Sequence, residues 1–256
     1  MFNFLNKTSH GTLGACFSAF ALLSCNTYGN AEPDIQLLAS NVVAAISSRE
    51  QNFGTTPTLK WDTNKLDLTF VYSDENRRLF ESSRIDLFES VFREIGQHTG
   101  IEINVLRGTN RSLAPDVIVV YGNRSDILRD ALRLARILNI RGLSAILDEQ
   151  DSANLPLCTF SLVWTSGGEI LRALITVEEG RHIRRCISEE VVQAMGVTGD
   201  ITSSIPSILG PNLSISQITN FDRLALQVLY DDRTRPGVPI SENEVLQILT
   251  DVREQQ

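Results

Sequence analysis

The chain has 256 residues, enough for one large domain or two small ones, and its 42% hydrophobic and 7% aromatic content is ordinary for a globular protein. With 23 Lys and Arg against 31 Asp and Glu, the formal charge at pH 7 is −8. An acidic chain without a basic cluster is a poor nucleic-acid binder, so we expect no nucleic-acid partner. Beyond the N-terminal region no hydrophobic run has spanning length, which argues against an integral membrane protein.

The N-terminus has the pattern of a secretory leader. Lys7 is the only charged side chain before Glu32, and the apolar run LGACFSAFALLSC at 13–25 is too short to cross a bilayer. LLSC, at the end of that run, resembles a bacterial lipobox and predicts removal of residues 1–24 and acylation of Cys25. The alternative is ordinary cleavage after GNA, which would make Glu32 the new N-terminus.

We therefore expect an exported, periplasm-facing protein that is anchored in the membrane as a lipoprotein. Of the four cysteines, Cys16 lies in the leader and Cys25 is either lipidated or removed. Cys158 and Cys186 remain, in a compartment where disulfides persist, so a bond between them is predicted. Two structural thiols are the alternative.

The rest of the sequence divides into a predicted tether at 25–57 and a single domain at 58–256. The first half of the domain alternates strands and helices. Apolar periodicity predicts strands at 66–72, 101–106 and 116–122, and helices at about 75–97 and 124–140. This order favours an α+β domain over a doubly wound sheet.

The second half begins with a predicted β-hairpin, formed by LCTFSLVW and EILRALITV around the turn TSGG. A helix at about 182–195 follows, and Gly196 stands in the usual position after a helix C-terminus. TNFD and SENE have the spacing of capping boxes, so they are predicted to open two terminal helices.

The helix at 182–195 carries the candidate functional residues. Its apolar face is predicted to consist of Ile183, Ile187, Val191 and Ala194. Glu190 lies at the edge of that face, so we expect it to be half-buried, where a raised pKa suits acid–base chemistry. The alternative is a structural glutamate paired with an arginine or a backbone amide. The side expected to face away carries Arg184, Arg185 and Ser188.

The segment CISEEVVQAMGVTGD, followed roughly thirty residues later by LYDDRTRPGV, resembles a proteobacterial domain family of unknown function with members called putative lipoproteins. The resemblance covers about 58–240 and rests on the paired cysteines, the EE-x-x-Q-x-x-G helix and the Y-D-x-R-x-R-P-G segment, in that order. That family is itself similar to the zincin metallopeptidases. The resemblance implies a mixed sheet with an edge hairpin, an active-site-type helix and a helical C-terminal part.

Carried over by position, the resemblance places Glu190 at the zincin general base. Glu189 and Gln193 stand where the two helix histidines would be, and Asp200 lies near the region of the third ligand. Zinc sites rely on imidazole or thiolate ligands. After the leader the chain has only two histidines, His98 and His182. We therefore expect no metal, no cofactor and no zinc-peptidase activity, and we expect His182 to be exposed at the start of the helix.

The segment YDDRTRPG supplies two further candidates. Arg233 and Arg235 are predicted to pair with Glu190 or Asp200 across a cleft, and a solvated turn with a Pro-Gly stop is the alternative. The sequence thus predicts a cell-envelope binding module that uses a degenerate peptidase groove for a peptide or protein partner. The second hypothesis is an envelope hydrolase in which Glu190 acts as general acid or base.

The lipobox generates a direct prediction. If LLSC is processed in the cell as a lipobox, labelled fatty acid is incorporated into the protein. Cys25→Ser then abolishes the incorporation, because the thiol that is acylated is gone. Metabolic labelling with N-terminal analysis measures both. A mature N-terminus at Glu32 would contradict the lipoprotein.

Overall fold

The computed structural model describes residues 34–47, 58–72, 83–106, 115–140, 143–144, 147–148, 157–180, 182–201 and 204–254. The predicted leader and Cys25 lie outside these residues. Within the described ranges, no helix is long and apolar enough to cross a membrane.

The described chain contains six helices and five strands. The helices are α1 (Ile35–Ile46), α2 (Ser83–Thr99), α3 (Arg124–Leu138), α4 (Ile183–Ala194), α5 (Asn220–Tyr230) and α6 (Glu242–Glu254). The strands are β1 (Lys65–Val71), β2 (Glu102–Val105), β3 (Val117–Gly122), β4 (Cys158–Trp164) and β5 (Ile170–Glu178). The predicted elements are present with ends shifted by a few residues. The predicted start of α2, 75–82, lies outside the described residues.

The five strands form one sheet in the order β2-β1-β3-β5-β4. The first three pairings are parallel, and β4 runs antiparallel to β5 at one edge. All six residues of β3 are buried, as expected for the continuous apolar run VIVVYG in the middle of the sheet. The predicted α+β fold, a mixed sheet with an edge hairpin that is followed by a helix and a helical C-terminal part, is confirmed.

The two faces of the sheet are covered unequally. On one face α3 packs against β3 and β5 around a small core that includes Ile118, Val120 and Leu174. On the other face a larger core joins the sheet to α1, α2, α4, α5 and α6. The candidate helix α4 therefore lies in the main core, against β4 and β5.

Helix α1 corrects the predicted tether. It lies within 25–57, yet Leu38, Ala39, Val42 and Ala45 are buried in the main core, and the helix packs against α5 and α6. Its C-terminal end is held from outside, since the Gly199 amide donates to the Ala45 carbonyl at 2.8 Å. The packed region begins with α1 rather than at residue 58, because one face of LLASNVVAAI is apolar enough to pack against the C-terminal helices.

Both predicted capping boxes are present. Thr219 and Asp222 bond reciprocally at the start of α5. At the start of α6 the Ser241 amide donates to Glu244 at 2.8 Å, and the Glu244 amide donates back to the Ser241 hydroxyl at 3.3 Å. Two helices begin where their sequence signals indicate.

Cys158 and Cys186 lie at disulfide distance, with their Cα atoms 5.8 Å apart. The predicted pairing is confirmed. Because Cys158 begins the edge strand β4 and Cys186 is the fourth residue of α4, the bond fixes the helix to the edge of the sheet.

Removing this bond is expected to destabilise the protein. Cys158→Ser with Cys186→Ser frees a loop with a sequence separation of 28, and the chain-entropy model gives a loss of about 3 kcal/mol. Denaturant unfolding of the wild type and the double variant measures the difference. Two free thiols at these positions in protein purified from cells would contradict the bond.

Candidate functional site

Helix α4 is the centre of the candidate site. The predicted apolar face is confirmed, since Ile187, Val191 and Ala194 are fully buried and Ile183 is nearly so. The helix starts after His182, which is exposed and makes no side-chain cap bond. It ends at Ala194, and Gly196, two residues further on, has a φ of +100°; a Cβ there would lie 2.2 Å from the Leu59 carbonyl oxygen. Glycine is required at that position by both the backbone angle and the contact.

Arg185 was expected to face away from the protein, and this is wrong: its exposed fraction is 7%. Its Nη1 donates to the carbonyls of Asn212 and Ile215 at 3.0 and 2.9 Å. Its Nη2 donates to the carbonyls of Ile208 and Gly210 at 3.0 and 2.9 Å. The segment 204–218 folds over this side of the helix, which a helical wheel of α4 alone does not reveal. One guanidinium thus holds four carbonyls of this segment.

Ser188, also expected to face away, lies under the same segment. Its exposed fraction is 2%, and its hydroxyl donates to the Ser216 carbonyl at 3.4 Å. Arg184 is exposed, as predicted. The outer side of α4 is therefore largely an internal surface.

Asp222 anchors the covering segment from its other end. This carboxylate is fully buried and accepts from the Ser207 hydroxyl, the Ile208 amide at 3.0 Å and the Thr219 amide at 2.7 Å. The segment is thus tied both to the first turn of α5 and to Arg185 on α4. Its covering position is fixed by charge-assisted hydrogen bonds.

Glu189 is the partly accessible carboxylate of α4, with 25% of its side chain exposed. Its Oε2 lies 3.3 Å from Arg185 Nε. Burial raises the pKa of Glu189; the Arg185 charge opposes this shift, and the negative charges of Asp200 and Asp222 add to it. The structure thus brings Glu189 within electrostatic range of both Arg185 and the exposed Asp200.

Glu190 and Gln193 are more deeply buried than the sequence indicates. Their exposed fractions are 5% and 6%, although Glu190 was expected to be half-buried at the edge of the apolar face. With Cys186 they form one stripe of the helix at i, i+4 and i+7, on the side that the disulfide fixes toward β4. Neither side chain lines an open cleft.

Arg233 does not pair with Glu190 or Asp200. Its Nε lies 2.7 Å from Asp231 Oδ1, and its Nη1 lies 2.5 Å from Asp251 Oδ2 on α6. Arg235 is exposed in the same turn. The alternative of a solvated turn describes this segment, because both arginines lie at its surface, away from the buried stripe of α4.

This turn nevertheless has a structural role beside the end of α4. The Tyr230 hydroxyl donates to the Met195 carbonyl at 2.9 Å, and the Gly237 amide donates to the Thr58 carbonyl at 2.9 Å. Lys60 donates to the carbonyls of Asp231 and Thr234. The conspicuous Y-D-x-R-x-R-P-G motif thus fixes the C-terminal end of α4.

Sequence reasoning missed Arg185 and Asp222 as organising residues. The signal for Asp222 was present, since it occupies the capping-box position of α5, but its bonds to Ser207 and Ile208 are made by tertiary contact. Arg185 gave no signal, because its acceptors are backbone carbonyls in an irregular segment. Among the described side chains, no group of three or more His, Cys, Asp or Glu is arranged to hold a metal ion.

The fold and the site define an α+β protein whose central helix is disulfide-bonded to an edge strand and covered by a pinned irregular segment. The chain belongs to the family described as "Protein of unknown function (DUF2927)", whose model matches residues 49–251. A search of curated proteins found no significant match.

The role of Arg185 is tested by replacing it with an apolar side chain of similar length. Arg185→Met is expected to cost about 3 to 5 kcal/mol of unfolding free energy, because it leaves buried carbonyls and Glu189 without their cation. The pKa of Glu189 should rise further, since the Arg185 charge is what lowers it. Denaturant unfolding and a carboxyl NMR titration measure the two effects. The matched control is Arg184→Met, at the exposed neighbour; equal losses in both variants would contradict the role given to Arg185.

Proposed function

We propose that this protein is an exported, lipid-anchored cell-envelope binding module that captures an extended segment of a peptide or protein partner. The capture site lies along the outer edge of β4, next to Glu189 on α4. Export and anchoring rest on the apolar leader and on the LLSC sequence that ends at Cys25. The binding role rests on the geometry of β4.

The outer edge of β4 is the observation that carries the proposal. On its inner side β4 pairs with β5 from Cys158 to Trp164, and no other strand of the described chain pairs with it. Because the Glu178 amide donates to the Leu157 carbonyl, alternation along an antiparallel pair directs the backbone groups of Phe160 and Leu162 outward. An unpaired edge of this kind accepts an extended chain by main-chain hydrogen bonds.

The position of α4 gives this edge its specificity. The disulfide holds the helix beside β4, so an added strand would run past Glu189, which is half-buried near the exposed Asp200. The order of mixed sheet, edge hairpin and helix is also the order that the zincin resemblance implies. We infer that the module keeps the peptide-binding layout of a zincin without its metal ligands.

The burial of Glu190 argues against the hydrolase hypothesis. A general acid or base must come within hydrogen-bond reach of the reacting group, and Glu190 is 5% exposed. Its stripe faces β4 and the protein interior, where no substrate bond has access. A binding module requires only the β4 edge and Glu189, both of which solvent reaches.

The test is site-specific cross-linking in cells. A photoreactive amino acid at position 189 should yield a defined adduct, whereas the same group at position 184, about 140° away on the helical wheel, should not. Mass spectrometry of the adduct identifies the partner segment. Equal labelling from both positions, or no adduct from either, would refute a binding site at the β4 edge.

A second test, on the purified protein, distinguishes the binding module from the hydrolase. Elemental analysis is expected to find no stoichiometric zinc, since the helix offers oxygen ligands where imidazoles are needed. Chelator-sensitive peptide cleavage that is lost in Glu190→Gln would establish the enzyme and overturn the binding module.

A further inference from the structure

The other edge of the sheet, strand β2, has a different character. The Glu102 and Leu106 amides donate to the carbonyls of Asn64 and Leu68, so even-numbered residues point their backbone toward β1. Ile103 and Val105 therefore direct their N–H and C=O groups away from the sheet. Among the described residues β2 has β1 as its only neighbour.

An open groove of about 550 Å³ runs along this edge, between β2 and α2. On the strand side it is lined by Ile101, Glu102, Ile103 and Val105, and the last two also pack against the main core. On the helix side it is lined by Glu89, Arg93 and Gln97, at helical spacing. The groove thus combines an apolar floor, outward-facing backbone groups and a wall with charges of both signs.

The packing of α2 determines which residue of β2 lies beside each of these charged side chains. A Cβ on Gly96 would lie 2.7 Å from the Ile101 oxygen and 3.9 Å from Ile103 Cγ1, which sets Gly96 level with Ile101–Ile103. The helix then runs antiparallel to the strand, rising about 1.5 Å per residue against about 3.3 Å for the strand. Arg93 therefore lies level with Ile103, and Glu89 level with Val105.

We propose that this groove binds a second copy of the same chain. The two β2 strands pair antiparallel about a two-fold axis through Asn104, which joins the two sheets into one. Ile103 then lies opposite Val105 of the second copy, and each such pair exchanges two backbone hydrogen bonds. Both side chains are β-branched, a combination that stabilises cross-strand pairs.

The charges select this occupant and this orientation. Arg93 is level with Ile103, and Glu89 is level with Val105. The two-fold axis therefore brings Glu89 of each copy opposite Arg93 of the other, which gives two such pairs. A copy in the parallel orientation would set like charges level with each other. An unrelated extended peptide would use the backbone groups but would not account for a wall that is complementary to itself, as two-fold interfaces require.

Charge reversal tests the interface by sedimentation equilibrium in density-matched detergent, over a wide range of protein concentration. Arg93→Glu is expected to weaken self-association roughly tenfold, because it opposes carboxylates at two symmetric positions. Glu89→Arg combined with Arg93→Glu should restore it. Arg136→Glu, at an exposed position of α3 on the other face of the sheet, is the matched control and should change nothing.

Cysteine cross-linking in membranes tests the axis itself. Asn104→Cys places two thiols on the axis, in a pair with Cα atoms about 4.5 Å apart, within disulfide range. Oxidation should give a covalent dimer that Arg136→Cys and the wild type do not give. Cross-linking no greater than in these controls, together with self-association that is absent or indifferent to charge reversal, overturns the proposal.

Discussion

The arrangement around α4 depends on the buried guanidinium of Arg185. A cation removed from water is tolerated only where its donors are satisfied and a counter-charge is near. Four carbonyls of the segment 204–218 meet the first requirement, and Glu189 meets the second. Since those carbonyls belong to an irregular segment without a ladder of its own, the same bonds that satisfy the Arg185 donors also give the segment its shape.

Two links of different kinds hold α4 on two adjoining sides. The Cys158–Cys186 bond fixes one stripe of the helix to the edge strand, and Arg185 fixes another to the covering segment. The C-terminal end of α4 is held as well. Gly196 lies closely against the Leu59 carbonyl, and the Tyr230 hydroxyl donates to the Met195 carbonyl. Most side chains of a helix restrained in this way are buried. Between the two links, Glu189 is the side chain that reaches the surface.

Because α4 is restrained in this way, the binding surfaces that we propose are the edges of the sheet and not the helix. In the degenerate zincin that we propose, the surviving feature is the edge strand, because main-chain hydrogen bonding needs no particular side chain, whereas metal catalysis needs several. The two edges are also unlike each other. The β4 edge lies beside a carboxylate and suits a foreign segment, while the β2 edge lies beside a self-complementary helix. Proteins normally protect such edges, so two edges that no strand of the described residues covers are consistent with the assembly that we propose.

The sequence by itself determined the elements from β1 onward, their order, the cysteine pair and both capping boxes. Each of these depends on local patterns: apolar periodicity, turn residues, or two side chains at fixed spacing. The strand VIVVYG could be assigned to the middle of the sheet for the same reason, since a continuous apolar run has no side for water. The leader and the lipobox are also local signals, but they lie outside the described residues and stay predictions.

Only the tertiary structure decided which surfaces of these elements meet. A helical wheel placed Arg185 and Ser188 outward and Glu190 at a half-buried edge, because it contains no information about the irregular segment that covers the helix. The partners predicted for Arg233, Glu190 or Asp200, were likewise wrong, because its carboxylates come from its own turn and from α6. The segment that forms α1 was assigned to the predicted tether because the face it packs against lies at the other end of the chain. Local pattern fixes what a segment forms, whereas burial is decided by segments distant in sequence, and it is the burial of Glu190 that led us to propose binding at the sheet edge rather than catalysis on α4.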